Sequence, residues 1–190
     1  EKKAKEESIN FNDIKSLTQT ISKQVDDIGK LVDEFSSFAR MPEAEIKLDN
    51  LSQTLSESFD LFANSHTKIN MKLFSQDKDI YYQFDRFQIT QAFNNIIKNS
   101  VEAVSNITNP SISINLSENK NLIKLIVTDN GVGIDEKKIS KLFEPYYTTK
   151  DKGTGLGLSI VKKIIEDHGG YIKIEKNRDM AGTTTTGSFV

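Results

Sequence analysis

Residues 129–157 of this chain read DNGVGIDEKKISKLFEPYYTTKDKGTGLG and hold two glycine-rich turns separated by a polar, partly aromatic segment. An apolar run at residues 122–127 is typical of a buried strand, so Asp129 falls where a strand ends and the chain turns. A carboxylate in that place can accept a hydrogen bond from an exocyclic amine. The second turn leads directly into an amphipathic helix, and such a turn at a helix N-terminus favours phosphate binding.

A second polar feature lies upstream, in the sequence FNNIIKNSVEA at residues 93–103. Asn95 and Asn99 are four residues apart and therefore share one face of a predicted helix. Two amide oxygens on one face can bind a metal ion that phosphates also hold. Two asparagines alone are usually solvated polar residues, but this pair with two glycine turns, in this order and spacing, is hard to obtain by chance.

Together these motifs resemble the ATP-binding domain of sensor histidine kinases. That domain belongs to the larger GHKL group of ATPases, with Hsp90, the MutL proteins and DNA gyrase. The N, G1, F and G2 boxes of the family match residues 95–103, 129–133, 143–147 and 153–157. The resemblance covers about residues 46–190. It implies an α/β fold, a two-layer α/β sandwich (Bergerat fold) whose mixed sheet is covered by helices on one face.

The resemblance also implies a site for ATP and Mg²⁺. Asp129 would accept from the adenine amino group, which selects adenine over guanine because guanine has a carbonyl there. Gly131 and Gly133 would let the backbone pass close to the base and ribose. Asn99, helped by Asn95, would bind Mg²⁺ between the phosphates.

The second turn would hold the phosphate oxygens, and its residues are Gly153, Thr154, Gly155, Leu156, Gly157 and Leu158. Lys150 is the best cation for the γ-phosphate, with a solvated surface charge as the alternative. Thr184 or Thr185 would support the water network around adenine. The polar segment 144–153 would act as a lid that is mobile without ligand, because fixing it costs roughly 1–2 kcal/mol per residue in backbone entropy.

Position 95 distinguishes phosphoryl transfer from hydrolysis. Hsp90-like and gyrase-like hydrolases carry a glutamate there, one helical turn before the metal-binding asparagine, and it activates water as a general base. Asn95 cannot do so, and Glu102 is a less favoured substitute. The resemblance therefore implies transfer to a histidine and then to the aspartate of a response regulator receiver domain. The alternative is a nucleotide-gated interaction module without phosphotransfer.

The two histidines, His66 and His168, do not lie in a segment like the H-E/D-x-x-N-P acceptor motif of these kinases. Both are predicted to be structural, with His168 at a helix C-terminus where a cationic ring suits the helix dipole. The phosphoacceptor histidine is therefore expected outside this segment, on a helix that precedes it or on another chain.

A different pattern occupies the N-terminal part. Apolar residues recur there at alternating steps of three and four, with Gln24 in one slot: Ile14, Leu17, Ile21, Ile28, Leu31, Phe35 and Phe38. The spacing predicts a heptad-patterned helix that ends before Pro42, and a solitary surface helix is the alternative. The seam resembles the second helix of a kinase dimerisation bundle, and the run QVDDIGKLVDEFSSFARMP at residues 24–42 resembles the nitrogen-regulation (NtrY-like) type of that helix. We therefore expect residues 1–42 to be part of a dimerisation region, with a homodimer through residues 12–40, and residues 46–190 to be the ATP-binding domain.

Composition narrows the classes of function. The net charge of −2 gives no electrostatic support for binding nucleic acid or an anionic membrane surface. The chain has no cysteine, which excludes disulfides and thiolate metal sites. No apolar run approaches the length of about 20 residues needed to cross a bilayer. The family resemblance implies that this part of the chain is the cytoplasmic portion of an inner-membrane sensor.

The remaining patterns predict the framework around the site. We expect a short edge strand at 46–49 and a helix at 50–65. Alternating apolar residues at 69–73 and 80–84 predict two strands that face a common core. Asp85 should cap the helix that carries Asn95 and Asn99. A hairpin is expected from strands 112–116 and 122–128 with a turn at 117–121, followed by closing strands at 171–176 and 183–190.

Overall fold

The computed structural model describes residues 11–39, 41–76, 79–120, 122–150, 153–177 and 181–189. The chain divides into two units, Glu1–Met41 and Pro42–Val190. The first unit holds one long helix, α1 (Phe11–Ala39), which ends before Pro42 as predicted. Its apolar residues with described side chains are 46–62% exposed: Ile14, Leu17, Ile21, Val25, Ile28, Val32 and Phe35. The side chains of Leu31 and Phe38, which the predicted seam also includes, lie outside the described residues.

The second unit contains, in chain order, β1 (Lys47–Asn50), α2 (Leu51–Ser65), β2 (Asn70–Ser75), β3 (Tyr81–Phe84), α3 (Arg86–Ala103), β4 (Ser111–Asn119), β5 (Leu122–Asp129), a 3₁₀ helix (Glu136–Lys141), α4 (Gly157–Asp167), β6 (Tyr171–Lys176) and β7 (Thr183–Phe189). In the described parts of the chain, no helix is both long enough and apolar enough to cross a membrane.

Five strands form a mixed sheet in the order β2-β4-β5-β7-β6. Strands β2 and β4 are parallel, and the other neighbours are antiparallel. The core lies on one face of this sheet, because residues alternate along β4 between buried Ile112, Ile114 and Leu116 and more exposed neighbours. Helices α2, α3 and α4 bury Leu55, Phe93 and Ile164, and each such side chain contributes roughly 1.5–3 kcal/mol of stability. The predicted α/β fold with a mixed sheet is confirmed.

Both strands predicted from alternating apolar residues are present, as β2 and β3, and β3 pairs with β1 in a separate two-stranded antiparallel sheet. Alternating apolar residues predict a strand but do not identify its partner. One prediction about the strands was wrong: the hairpin is longer than expected, since residues 117–119 of β4 continue the ladder with β5. Their polar side chains suit the solvent-exposed end of the hairpin. Residue 121 of the predicted turn and residue 190 of the last strand lie outside the described residues.

The first turn of α3 is held by its predicted cap. Asp85 Oδ1 accepts from the backbone N–H of Gln88 at 3.0 Å, and Oδ2 accepts from the N–H of Glu45 at 2.8 Å. A side-chain cap of this kind typically contributes about 1 kcal/mol. Asp85 therefore also connects the start of α3 with the segment that enters β1.

His168 is structural, as predicted, but it is not a cationic C-cap. Its Nε2 accepts from the backbone N–H of Asp85 at 2.9 Å, which requires a lone pair on that nitrogen. Nδ1 must then carry the proton and donate to the carbonyl of Ile164 at 2.7 Å. The ring is neutral in this arrangement and joins the end of α4 to the start of α3. His66 follows α2, where it stacks on Phe62 and hydrogen-bonds its carbonyl, so it is structural too.

Candidate nucleotide-binding site

The adenine-binding residue that the sequence predicts, Asp129, ends β5 and is only 4% exposed. Its Oδ1 accepts from the backbone N–H groups of Gly131 at 2.9 Å and Thr183 at 3.2 Å. The carboxyl also accepts from the hydroxyl of Ser100 on α3. Burial raises the pKa of Asp129 above its ordinary value, and these three hydrogen bonds act in the opposite direction. The result is a buried, oriented acceptor at the end of a central strand.

The glycines of the first turn are required by the packing of the protein itself. A Cβ on Gly131 would lie 2.6 Å from the carbonyl oxygen of Ala103, the last residue of α3. The N–H of Val132 donates to that same oxygen at 3.2 Å. Gly133 has a φ of 73°, which L side chains rarely adopt. The turn is therefore fixed against α3, and this packing requires its glycines independently of any contact with a nucleotide.

Gly182 is a residue of this region that the sequence analysis missed. It precedes β7 with a φ of 135°, and a Cβ there would overlap the carbonyl oxygen of Asp129. Only glycine lets β7 start close enough for the N–H of Thr183 to reach the Asp129 carboxylate. The signal available in the sequence was a lone glycine directly before a run of threonines.

Asn95 and the second glycine turn are neighbours in the structure. Helix α4 begins at Gly157, and a Cβ there would be 3.8 Å from Asn95 Oδ1 on α3. No side chain caps the N-terminus of α4. Its first backbone N–H groups therefore lack helical partners and form a favourable place for an anion. Leu158 lies in this first turn, so the asparagine-bearing face of α3 and the predicted phosphate-binding turn are brought together.

The second turn folds back against the segment that precedes it. Gly155 has a φ of 72°, and a Cβ there would overlap the backbone at Tyr146 and Tyr147. A Cβ on Gly153 would overlap the hydroxyl of Thr148. Thr154 lies between the two glycines, and the N–H of Leu156 is 3.4 Å from its hydroxyl oxygen. Residues 151 and 152 of the predicted lid lie outside the described residues.

Lys150 reaches α3 from this segment. Its Nζ donates to Asn99 Oδ1 at 2.8 Å and forms an ion pair with Glu102 Oε2. Asn99 and Glu102 are three residues apart, so one ammonium group can bridge both side chains. Lys150 thus has partners on α3, and its side chain is 44% exposed.

Thr184 is not brought to the site. Its hydroxyl lies 3.4 Å from that of Thr128, opposite it in the ladder, and both side chains are on the outer face of the sheet. Side chains alternate between faces along a strand, so Thr183 and Thr185 face inwards and are buried. Thr183 is the residue level with Asp129 and contacts it.

Ser100 was also missed in the sequence. Three and four residues before it are Ile97 and Ile96, both of them buried on the core-facing side of α3. A hydroxyl on that side needs a partner, because an unpaired buried polar group is costly. This requirement was the available signal that Ser100 would bind a buried acceptor.

Comparison with known proteins shows the family to which this domain belongs. Residues 84–189 match the family described as histidine kinase-, DNA gyrase B- and HSP90-like ATPase. This match covers more than half of the chain, and the chain belongs to that family. The resemblance stated from the four sequence boxes is confirmed.

Several sensor kinases are similar to this chain. It is 39% identical over 165 residues to the nitrogen regulation protein NtrY of Azorhizobium caulinodans, covering 83% of this chain and 21% of that protein. It is 31% identical over 172 residues to the sensor histidine kinase ZraS of Escherichia coli K12, covering 89% and 36% respectively. The chain therefore spans well under half the length of these curated relatives.

Solved structures show the same similarity. The catalytic domain of the histidine kinase ThkA, in a nucleotide-free form, has a TM-score of 0.69 and 32% identity, covering 76% of this chain and 95% of that one. ThkA in complex with the response regulator protein TrrA has a TM-score of 0.78 and 26% identity, covering 97% and 53%.

Proposed function

We propose that this chain contributes the ATP-binding catalytic part of a sensor histidine kinase. In this proposal it transfers the γ-phosphoryl group of Mg-ATP to a histidine outside the segment, and the phosphoryl group then passes to a response-regulator aspartate. One observation carries the proposal: Asn95 lies beside Gly157 at the uncapped N-terminus of α4. The face predicted to bind the metal and the turn predicted to bind phosphate are thereby adjacent, and no glutamate occupies position 95 to activate water.

The base and the phosphates would bind at different parts of the site. Asp129 would accept from the adenine amino group, directly and through water, with its other acceptor capacity used by Gly131 and Thr183. The backbone N–H groups that begin α4 would hold the β- and γ-oxygens. The Lys150 side chain would move, so that its ammonium group leaves Asn99 and binds the γ-phosphate.

The side chains present fit Mg²⁺. Amide oxygens are suitable ligands for this hard cation, and Asn99 Oδ1 already accepts from the cationic ammonium of Lys150. Asn99 and Asn95 would hold the ion together with phosphate oxygens. When bound, Mg²⁺ would neutralise charge on the transferred phosphoryl group. The protein's own contribution is to orient the triphosphate between α3 and α4.

The surroundings of the Glu102 carboxylate favour phosphoryl transfer over hydrolysis. Glu102, the less favoured substitute base, is ion-paired with Lys150. An Hsp90-like or gyrase-like hydrolase would need a general base one turn before Asn99. We therefore expect little sustained phosphate release from this chain alone.

Helix α1 supports the proposed dimerisation. Its apolar seam is exposed within its own unit, and a long exposed seam of this kind favours burial against other helices. The proposed partners are a second copy of the chain through residues 12–40 and a response regulator receiver domain, with no nucleic acid. The proposed setting is the cytoplasmic part of an inner-membrane sensor, as in the kinases that the sequence resembles.

The test is phosphorylation of a longer protein that includes an acceptor histidine, incubated with γ-labelled ATP and Mg²⁺. Label that is stable to base and labile to acid would support transfer to histidine. Tight ATP binding with no label on the protein would instead support a nucleotide-gated interaction module. Continuous release of labelled phosphate by residues 1–190 alone would favour the hydrolase.

A further inference from the structure

The side-chain amide of Asn99 is occupied by a cation from the protein itself. Lys150 Nζ donates to Asn99 Oδ1 at 2.8 Å, and Glu102 Oε2 pairs with the same ammonium. The side chains of Lys150 and Glu102 are 44% and 43% exposed, so water and salt screen the pair only in part. Glu102 thus anchors Lys150 next to the oxygen that the proposed function gives to Mg²⁺.

A metal ion and an ammonium group compete for that oxygen. Both are positive, and their repulsion at contact distance makes simultaneous binding to one amide oxygen unfavourable. Binding of Mg-nucleotide at Asn99 therefore requires Lys150 to leave Asn99. The ion pair with Glu102 opposes this movement, because it stabilises the position of Lys150 in which the contact with Asn99 forms.

We propose that Glu102 sets the affinity of the site for Mg-nucleotides by holding Lys150 on Asn99. This inference rests on the proposed function, in which Asn99 binds the metal. Glu102 is a positioning residue here, since it acts on the nucleotide through Lys150. Its effect is to weaken the binding of metal-bound nucleotide and so to favour release of Mg-ADP, which has no γ-phosphate to receive the displaced ammonium.

A simple alternative is charge repulsion, since a carboxylate near the phosphates weakens their binding without help from Lys150. The two explanations differ in their response to metal and to a second substitution. Repulsion acts on metal-free ADP at least as strongly as on Mg-ADP, which carries less net negative charge. The bridge, in which Lys150 contacts both Glu102 and Asn99, weakens the binding of Mg-ADP only, because metal-free ADP does not require Asn99 Oδ1.

Calorimetric titration of residues 1–190 with Mg-ADP, and with ADP in chelator, would decide between them. The proteins are wild type, Glu102→Gln, Lys150→Met and the double variant. Exposed ion pairs have coupling energies equivalent to about a two- to five-fold change in affinity. We expect each single variant to bind Mg-ADP that much more tightly, and the double variant to bind no more tightly than the single ones, since the bridge is lost only once.

The controls separate this inference from the proposed function. Glu118→Gln makes the same change of charge on the distant end of β4 and should leave Mg-ADP affinity unchanged. Glu102→Asp keeps the negative charge and should therefore bind Mg-ADP less tightly than Glu102→Gln does. Equal tightening of metal-free ADP and Mg-ADP, or additive effects in the double variant, would overturn the role of Glu102. Absence of any adenine nucleotide binding by the wild type would instead overturn the proposed function.

Discussion

The two glycine turns of the site are built in different ways. The first turn is fixed by buried contacts: Asp129 is held by Gly131, Thr183 and Ser100, and Gly131 packs directly on the end of α3. The second turn packs against residues 146–148, and the adjoining Lys150 reaches α3 only through half-exposed polar groups. The comparison indicates that the part of the site proposed to bind adenine is preformed, whereas the part proposed to bind phosphate depends on contacts that a ligand can replace.

The most severe way to break the preformed side is Gly182→Ala. The new Cβ would overlap the carbonyl oxygen of Asp129, in a backbone conformation that alanine rarely adopts. We expect the free energy of unfolding to fall by about 3 kcal/mol or more. Urea denaturation measures this. Gly187→Ala on the same strand is the control, because its Cβ would be 3.9 Å from Ile165 Cδ1, an ordinary contact. Equal stability of the two variants would contradict the account of this turn.

On the phosphate side, Asn99→Ala should leave the fold intact and remove most Mg²⁺-dependent ATP affinity. Alanine is favourable in a helix, and Asn99 is not part of the core. The loss should be at least about ten-fold, which is typical even of groups that only support a metal ligand. Calorimetry with and without Mg²⁺ is the measurement, and Lys98→Ala on the exposed side of α3 is the control. Unchanged Mg-ATP binding would remove the metal assignment.

Asp129→Asn sharpens the comparison at the adenine side. It replaces an acceptor-only group by one that also donates, and hydrogen bonds to charged groups contribute about 1.5–3 kcal/mol. ATP affinity should therefore fall by about ten-fold or more, while the weak binding of GTP should change little. An equal effect on both nucleotides would show that Asp129 does not read the base.

The wild-type carboxyl adds a pH dependence with a definite sign. Burial raises the pKa of Asp129, so the carboxylate is protonated at a higher pH than an ordinary aspartate. ATP affinity should fall as pH is lowered through this raised pKa. An acid whose pKa is raised by folding makes the fold relatively more stable as pH falls, so Asp129 itself does not cause unfolding in that window. ATP titrations between neutral and acidic pH, with circular dichroism as a check on folding, measure both.

Amide hydrogen exchange compares the two turns directly. Residues 129–133 should be protected with and without a Mg-ATP analogue, because their contacts are internal. Residues 144–150 of the predicted lid should gain protection only with the analogue, because Lys150 reaches α3 only through half-exposed polar groups that the analogue can replace. Strong and equal protection of residues 144–150 in both states would mean that the two halves of the site are equally preformed.

The smallest effect is expected for Thr184→Val. Its hydroxyl faces Thr128 on the outer side of the sheet, and ATP affinity should stay within about two-fold of wild type. Thr183→Val, on the inner face beside Asp129, is the matched comparison: it keeps the backbone N–H that donates to Asp129, so it tests the hydroxyl alone. A larger loss of ATP affinity in Thr184→Val than in Thr183→Val would mean that the nucleotide contacts the outer face of β7, which would contradict the proposed site.

The sequence was most informative where the chemistry lies within a few residues. The spacing of Asn95 and Asn99, the cap at Asp85 and the glycines of both turns are local patterns, and all could be identified before the fold was known. Pairings between distant segments could not. Nothing local to Thr183 indicates which of four consecutive threonines faces Asp129, since that depends on the register between β5 and β7.

Contacts made across elements were missed for the same reason. Ser100 finds Asp129 only when α3 lies over β5, and the bridge from Lys150 to Glu102 joins residues 48 positions apart. The separation of β2 and β3 into different sheets also depends on partners, β4 and β1, that each strand meets only in the folded chain.

The neutral ring of His168 has a consequence for how the site helices move. It joins the end of α4 to Asp85 at the start of α3, and the carboxylate of Asp85 holds the N–H of Glu45. Near the opposite end of α4, Gly157 lies against Asn95. A shift of α4 that accompanied phosphate binding would therefore displace α3 and the peptide at residue 45 as well. Two hydrogen bonds of a single imidazole thus couple the positions of α4, α3 and the peptide at residue 45.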